Sequence, residues 1–392
     1  MNTLFLLAAL LTPPPERLAP DASCLADGCH AETRAFPLIH APIEKGQCRD
    51  CHPQQGDRHA FTEVPPNETC AKCHESVTAG PVVHSATDKC LDCHTAHGSA
   101  NAGLLIVPAT ALCQECHEPD EYVKDRPKVH EAVTKGECLT CHEPHAGSIP
   151  KLLRAEGPAL CKSCHEERVA EVLAAKTGHS PAKDDCTRCH DPHASKQGAL
   201  LHKPQMELCL ECHDKAIEAS DGRTVASLAA QLEGRKRRHG PVDEGKCAEC
   251  HSPHGSPNFR LLKLAYPPAF YAPGVEESFA LCFDCHDAEL LTEEHTEETK
   301  FRDGDKNLHF VHVNRGARGR TCRACHSPHA SDSLVHVRET TPFGTWGLPV
   351  GFTPTKSGGG CSPGCHVKRD YDRGGGGAGT SDSDDDDEED DE

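Results

Sequence analysis

The sequence has little of what an ordinary protein core is built from. Of its 392 residues only 36% are hydrophobic and 4% aromatic, with one Trp, while Gly and Pro number 32 and 30. Length alone would allow two or three domains, but side chains of this composition cannot fill them. Long apolar runs are scarce too. The run Leu4 to Leu11, closed by Pro13, Pro14 and Pro15, is too short to span a bilayer. It has the look of the apolar stretch of a secretory signal, although no Lys or Arg precedes it. We therefore expect residues 1–20 to be a leader and the rest to be exported, periplasmic or extracellular, with no transmembrane span. Methionine is the other shortage, at two residues, Met1 and Met206.

Cysteine is what fills the gap: there are 26. Eleven copies of Cys-x-x-Cys-His account for most of them. These are Cys48/Cys51/His52, Cys70/Cys73/His74, Cys90/Cys93/His94, Cys113/Cys116/His117, Cys138/Cys141/His142, Cys161/Cys164/His165, Cys186/Cys189/His190, Cys209/Cys212/His213, Cys247/Cys250/His251, Cys282/Cys285/His286 and Cys322/Cys325/His326. Two wider variants, Cys24/Cys29/His30 and Cys361/Cys365/His366, bring the motifs to thirteen and leave no cysteine over. Two thiols a short turn apart can form thioethers to the vinyl groups on one haem edge, and the next residue swings its imidazole under the iron. The competing assignment is zinc, because successive Cys-x-x-Cys pairs come near zinc-ribbon spacing. A ribbon of four sulfurs has no use for a histidine after every second cysteine, so the count favours about thirteen covalently bound haems c.

A longer period overlies the motifs. His94, His142 and His190 are 48 residues apart, as are His117, His165 and His213. Each unit reads as a leading His, then Cys-x-x-Cys-His-x-x-His, then a second Cys-x-x-Cys-His. His84, His130 and His179 lead the three regular units, whose second histidines are His97, His145 and His193. His239 and His312 lead two longer units with His254 and His329. In the first unit, led by His40, Gln55 stands where the pattern wants His, and His59 is the nearest substitute. The corresponding segments are an N-terminal three-haem part (21–80), three regular two-haem repeats (81–235), two lengthened repeats (236–370) and an acidic tail (371–392).

On these motifs the sequence resembles the doubled Cys-x-x-Cys-His multihaem cytochromes over residues 24–366. That group includes periplasmic decahaem subunits of porin–cytochrome conduits and pentahaem electron-donor cytochromes of nitrite reduction. The resemblance implies redox-protein partners, either donor and acceptor cytochromes or an outer-membrane porin complex. It also implies an extended wrapper of short helices and coil around a haem chain, with little or no β-sheet.

The sixth iron ligand decides the chemistry: Met raises the potential, a second His lowers it, and a vacancy admits substrate. Two methionines exclude Met/His ligation for nearly every haem. After the thirteen proximal histidines, sixteen of the 29 remain. Twelve are the distal candidates: His40, His59, His84, His97, His130, His145, His179, His193, His239, His254, His312 and His329. His202, His295, His309 and His336 are left over, with one haem unserved. In His-x-x-His the second ring lies only three residues from the proximal one, so it is expected to reach a neighbouring iron instead.

Helices are expected at 166–176 and 224–233, from apolar residues at helical spacing. Tyr266, Phe270 and Tyr271 in the insertion 256–280, and Phe343, Trp346 and Phe352 in a Gly-rich loop, are expected to pack on porphyrin. Basic runs at Arg235–Arg238 and Arg315–Arg320 suit haem propionates, and a net charge of −20 argues against nucleic acid. Residues 381–392 hold ten Asp or Glu, a block that is not expected to fold and that could attract metal ions or a basic partner. The favoured function is electron transfer without catalysis, so no catalytic residue is assigned. The alternatives are a reductase of a small oxyanion (nitrite, hydroxylamine or tetrathionate) with one open haem, and a structural subunit of a cytochrome wire or porin complex.

Overall fold

A computed structural model describes residues 15–26, 29–219 and 222–375. The leader at 1–20 falls largely outside the described residues, as does most of the acidic tail. The chain divides into two compact units, one comprising residues up to 163 with 191–200, the other 164–190 with 201 onward.

Secondary structure is built around the cysteine motifs. In most Cys-x-x-Cys-His turns the histidine N–H reaches back toward the first cysteine, as in His52 to the Cys48 carbonyl at 2.9 Å and His142 to the Cys138 carbonyl at 3.0 Å, closing one helical turn. Prolines start several of the longer helices: Pro66–His74, Gly157–Lys162 and Gln205–His213 begin beside Pro65, Pro158 and Pro204, where a fixed φ and a missing donor cost nothing. The longest described helices have nine residues, below the length at which an isolated helix holds itself together. None is long and apolar enough to cross a membrane.

Strands are more numerous than the sequence suggested, though most have two residues. They recur at equivalent places. Leu38–Ile39 pairs with Gly98–Ser99, Val82–Val83 with Ala146–Gly147, and Lys128–Val129 with Ala194–Ser195, all in the first unit. Arg237–Arg238 pairs with Ala330–Ser331 in the second. Each patch clamps the residues beside a leading histidine to those beside a His-x-x-His of the next repeat. Two residues carry no alternation, so such strands leave no signature in sequence.

Helix 166–174 forms and buries Val169 and Val172, but Leu173 is exposed. The expected helix over 224–233 is instead a strand, Thr224–Val225, followed by Leu228–Leu232, whose start is set by Ser227 Oγ accepting from the Ala230 N–H. A local hydroxyl cap there overrides the helical spacing of Val225. The Gly-rich loop around Phe343 and Phe352 is a hairpin, Thr340–Phe343 with Trp346–Pro349, and a three-stranded sheet, Phe352–Pro354, Gly358–Cys361 and Arg369–Asp372. Gly358 is required in that sheet, since a Cβ there would run into the Tyr371 carbonyl oxygen. Arg235 is held by Asp332 at 2.8 Å.

Side-chain burial is sparse. Eleven hydrophobic residues are buried among those described, and only one, Ala194, is in the first unit. The second unit has a genuine cluster of Tyr266, Ala272, Phe279 and Leu291. Tyr266 therefore packs on Phe279, ring centres 6.0 Å apart, and the insertion supplies protein core.

Candidate haem-binding sites

With the motifs numbered 1 to 13 along the chain, most motif histidines face a second imidazole. The first unit pairs His30 with His59, His52 with His97, His74 with His40, His94 with His145, His117 with His84 and His142 with His193. The second pairs His190 with His254, His213 with His179, His251 with His329, His286 with His239, His326 with His309 and His366 with His312. Ring centres in these twelve pairs are 5.8 Å to 6.4 Å apart. That is too far for two rings to bond each other. A metal–imidazole bond of about 2.0 Å, with about 1.1 Å from nitrogen to ring centre, separates two axial rings by about 6.2 Å. Donor type and spacing thus fit an iron between the members of each pair.

The pairs obey a register. The His-x-x-His histidine of an even motif faces the proximal histidine of the previous even motif: His97 meets His52, His145 meets His94 and His193 meets His142. The second unit continues it with His254 facing His190 and His329 facing His251. A leading histidine faces the odd motif of its own repeat: His40 meets His74, His84 meets His117, His179 meets His213, His239 meets His286 and His312 meets His366. His130 stands at the position of His40 and His84. Its N–H donates to the His193 carbonyl at 2.9 Å, as His40 does to His97 at 2.8 Å and His84 to His145 at 2.7 Å.

The register also explains its own exceptions. Motif 2 has no even motif before it, so a histidine at Gln55 would have nothing to face. Gln55 instead donates from Nε2 to the Phe61 carbonyl at 3.4 Å. Motif 1 has no leading histidine, and His59 takes that place. Motif 12 has no even motif after it. Its partner is His309, which the sequence left unassigned with His202, His295 and His336. Array-end counting is the signal that would have found it. Of the other three, His202 bonds the Thr187 carbonyl at 2.7 Å, His295 lies 3.2 Å from Asp305, and His336 packs edge-on to His239 at 5.7 Å.

Second contacts fix the rings. Proximal His94, His142, His251 and His326 bond through Nδ1 to the carbonyls of Gly103, Lys151, Arg260 and Val335, at 2.7, 2.9, 3.1 and 2.8 Å. Those carbonyls lie in a recurring loop whose two central residues have positive φ, for example Lys151 and Leu152 at 60° and 55°. Backbone strain of this kind persists only where its surroundings enforce it. Its effect here is to leave Nε2 of each imidazole for a metal. Burial, followed by the facing imidazole, lowers the basicity of His145, His193, His254 and His329, the last to about 4. Burial likewise pushes His309 down to about 3, with His326 and His312 adding to it. Neutral imidazole is the ligating form.

The thiols mark which motifs are neighbours. None of the 26 cysteines forms a disulfide. First cysteines of successive motifs lie near enough to act on each other's thiols: Cys24 with Cys48, Cys70 with Cys90, Cys113 with Cys138, Cys209 with Cys247 and Cys282 with Cys322. Burial raises the Cys70 thiol, with Cys90 and then Cys51 adding to it, which ties motifs 2, 3 and 4 together. Burial also raises Cys93, Cys189, Cys250 and Cys325, and thiols of the following motif add to it, namely Cys116, Cys212, Cys282 with Cys285, and Cys361 with Cys365. Within each unit, then, motifs adjacent in sequence are adjacent in space.

The sequence gives the two cysteines of a motif the same role, but the structure sets them differently. The first cysteines, Cys161 and Cys186 included, are all half-buried. The second cysteines divide by parity: those of the odd motifs, Cys29, Cys73, Cys116, Cys164, Cys212, Cys285 and Cys365, are exposed, whereas Cys93, Cys141, Cys189, Cys250 and Cys325 of the even motifs are half-buried. The cause is the strand of chain that returns past each even motif after the positive-φ loop. Its N–H donates to the carbonyl of the second cysteine: Ile106 to Cys93 at 3.0 Å, Arg154 to Cys141 at 3.0 Å, His202 to Cys189 at 3.0 Å, Lys263 to Cys250 at 2.9 Å and Arg338 to Cys325 at 2.8 Å. Motif 2 is the exception. Its chain returns one step later, Thr62 N–H to the Pro53 carbonyl at 2.8 Å, and Cys51 stays exposed. Unbonded cysteine is among the most buried residue types, so eight exposed second cysteines suit thiols that are taken up in thioethers.

The family model for the doubled CXXCH motif matches five stretches, residues 40–79, 84–122, 130–170, 179–218 and 239–290, which together make up more than half of the chain. Each stretch begins on a leading histidine. No curated protein matches the chain.

Proposed function

Because the chain belongs to the doubled-CXXCH family of multihaem c-type cytochromes, we propose that it is an exported electron carrier with thirteen haems c held between paired imidazoles and used in motif order. The observation that carries this reading is the set of twelve imidazole pairs at iron-bridging spacing, joined by thiol contacts between successive motifs. Bound haem supplies one-electron exchange between ferric and ferrous iron. The protein's part is to hold each haem by two thioether cysteines and two imidazoles, to keep those rings neutral, and to fix them through Nδ1. Two histidines per iron leave no position for a substrate and favour low potentials, which suits a respiratory conduit outside the cytoplasm.

The partners would be redox proteins that give and take electrons at haems 1 and 13, the ends of the array. The acidic tail is suited to steering a basic partner or collecting metal ions. Electron paramagnetic resonance of the oxidised holoprotein, integrated for high-spin against low-spin iron, tests the reading. Entirely low-spin iron is expected. One high-spin haem per chain that responds to nitrite or hydroxylamine would make the protein a reductase instead.

A further inference from the structure

The N-terminal end of the array lacks the clamp that seats a distal histidine elsewhere. The leading histidines His40, His84, His130 and His239 donate their backbone N–H to the carbonyls of His97, His145, His193 and His329, at 2.7 to 3.0 Å. Motif 1 has no leading histidine, and the His59 N–H donates instead to the Glu16 carbonyl at 3.2 Å. Residues 16–18 run antiparallel to 57–59: Arg17 bridges Arg58, and the Leu18 N–H donates to the Asp57 carbonyl at 2.8 Å. The segment that precedes motif 1 thus does for His59 what a neighbouring repeat does for the other four.

Two half-buried side chains of motif 2 and its loop hold that segment down. Gln54 donates from Nε2 to the Leu18 carbonyl at 2.6 Å and to the Arg58 carbonyl at 3.1 Å, joining the two strands. Its Oε1 accepts from Arg49 Nε at 2.8 Å, and Arg49 Nη2 donates to the carbonyls of Ala19 and Ala22 at 3.2 and 3.0 Å. In the other even motifs the place of Gln54 is taken by Ala96, Pro144, Pro192, Pro253 and Pro328, whose side chains form no hydrogen bond. The exposed Arg17–Asp57 pair, at 3.8 Å, adds little.

We propose that residues 16–22 are a strap retained in the mature protein, fastened by Arg49 and Gln54 as positioning residues so that His59 stays on the iron of haem 1. Outer contacts of this kind orient a metal-binding side chain without touching the metal. The leader boundary expected at residue 20 would cut through the strap, so export cleavage falls before Glu16. The inference rests on the bis-imidazole reading at motif 1.

Two measurements test it. Amino-terminal sequencing of the exported holoprotein is expected to begin at or before Glu16, and a mature chain that begins later would overturn the proposal. The second is the rate at which the ferric holoprotein binds cyanide, which needs an iron whose distal histidine has let go. Arg49→Leu and Gln54→Leu are compared with the unaltered chain, with His59→Ala as the reference for an open haem 1. Losing the bonds of either side chain frees His59 about tenfold more often, so one haem per chain should bind cyanide faster by about that factor in both Leu variants. Rapid uptake by one haem in His59→Ala, with both Leu variants unchanged from the original chain, would overturn the strap alone. A His59→Ala protein whose iron all stays low-spin by paramagnetic resonance would overturn the pairing of His59 with motif 1, and the proposal with it.

Discussion

Among the described residues, the first unit buries one hydrophobic side chain, Ala194, and the second buries ten, including Phe279 at 0% and Leu291 at 2% exposure. Both units hold haem motifs in the same register, so the difference is not in the cofactor. It lies in the spacers. Where the repeat is regular, the segments between motifs are largely committed to a leading histidine, a two-residue clamp and the positive-φ loop, and little is left to bury beyond Val169, Val172, Ala194 and Leu232. Where the repeat is lengthened, as between motifs 10 and 12, the extra residues supply Tyr266, Ala272 and Phe279. A unit of the first kind must take its stability from thioethers and iron ligation, whereas the second has a share of its own.

The strongest way to break this comparison is to withhold haem. In chain produced without haem attachment, limited proteolysis is expected to digest residues 15–163 completely and to leave a resistant fragment that contains residues 262–322. Equal loss of both units would show that the Tyr266–Phe279 cluster also needs cofactor. A smaller effect comes from Phe279→Ala in the holoprotein. Removing a fully buried aromatic costs about 3–5 kcal/mol, and denaturant unfolding should show that loss in the second unit while the haem spectrum of the first stays unchanged.

How much of this was legible in the sequence follows the same division. The motifs, the 48-residue period and most imidazole partners could be read because they are chemical residues at fixed spacing. The clamps could not, since Val82–Val83 and Ala146–Gly147 are too short to show a period. Nor could the difference between Cys141 and Cys164, which have the same spacing but not the same returning chain. His309 was overlooked because it belongs to no motif; it is identified only by asking what the last even motif lacks. The positive-φ pairs were invisible as well, because Lys151, Leu152 and Val335 are not residues that announce a turn.

The array logic gives a third, smaller test. His145→Ala should convert one haem from low-spin to high-spin, and the affected site should be that of His94. Gln55→His makes the sharper control. If the second histidine of an even motif serves the even motif before it, a histidine at 55 has no iron to take, and the spin state should stay as it was. A ligand exchange at motif 2 in that variant would mean that His-x-x-His can reach its own haem.

The smallest effect expected is at the strained loops, where the two kinds of residue at one structural position can be compared. Gly103 and Val335 both offer their carbonyls to a proximal histidine, with φ of 68° and 51°. Glycine accepts that conformation freely, whereas a side-chain-bearing residue loses about 1–2 kcal/mol there. Val335→Gly removes the strain but adds freedom to the unfolded chain worth about 0.5–1 kcal/mol. The net stabilisation should therefore be at most about 1.5 kcal/mol in thermal unfolding, with the potential of haem 12 unmoved, because the carbonyl that receives His326 Nδ1 is retained. The reverse change, Gly103→Ala, should destabilise by a similar amount. If Val335→Gly instead loosened His326 and produced high-spin iron, the stiffness of the strained pair would itself be what holds the proximal imidazole, and the strain would be part of the site.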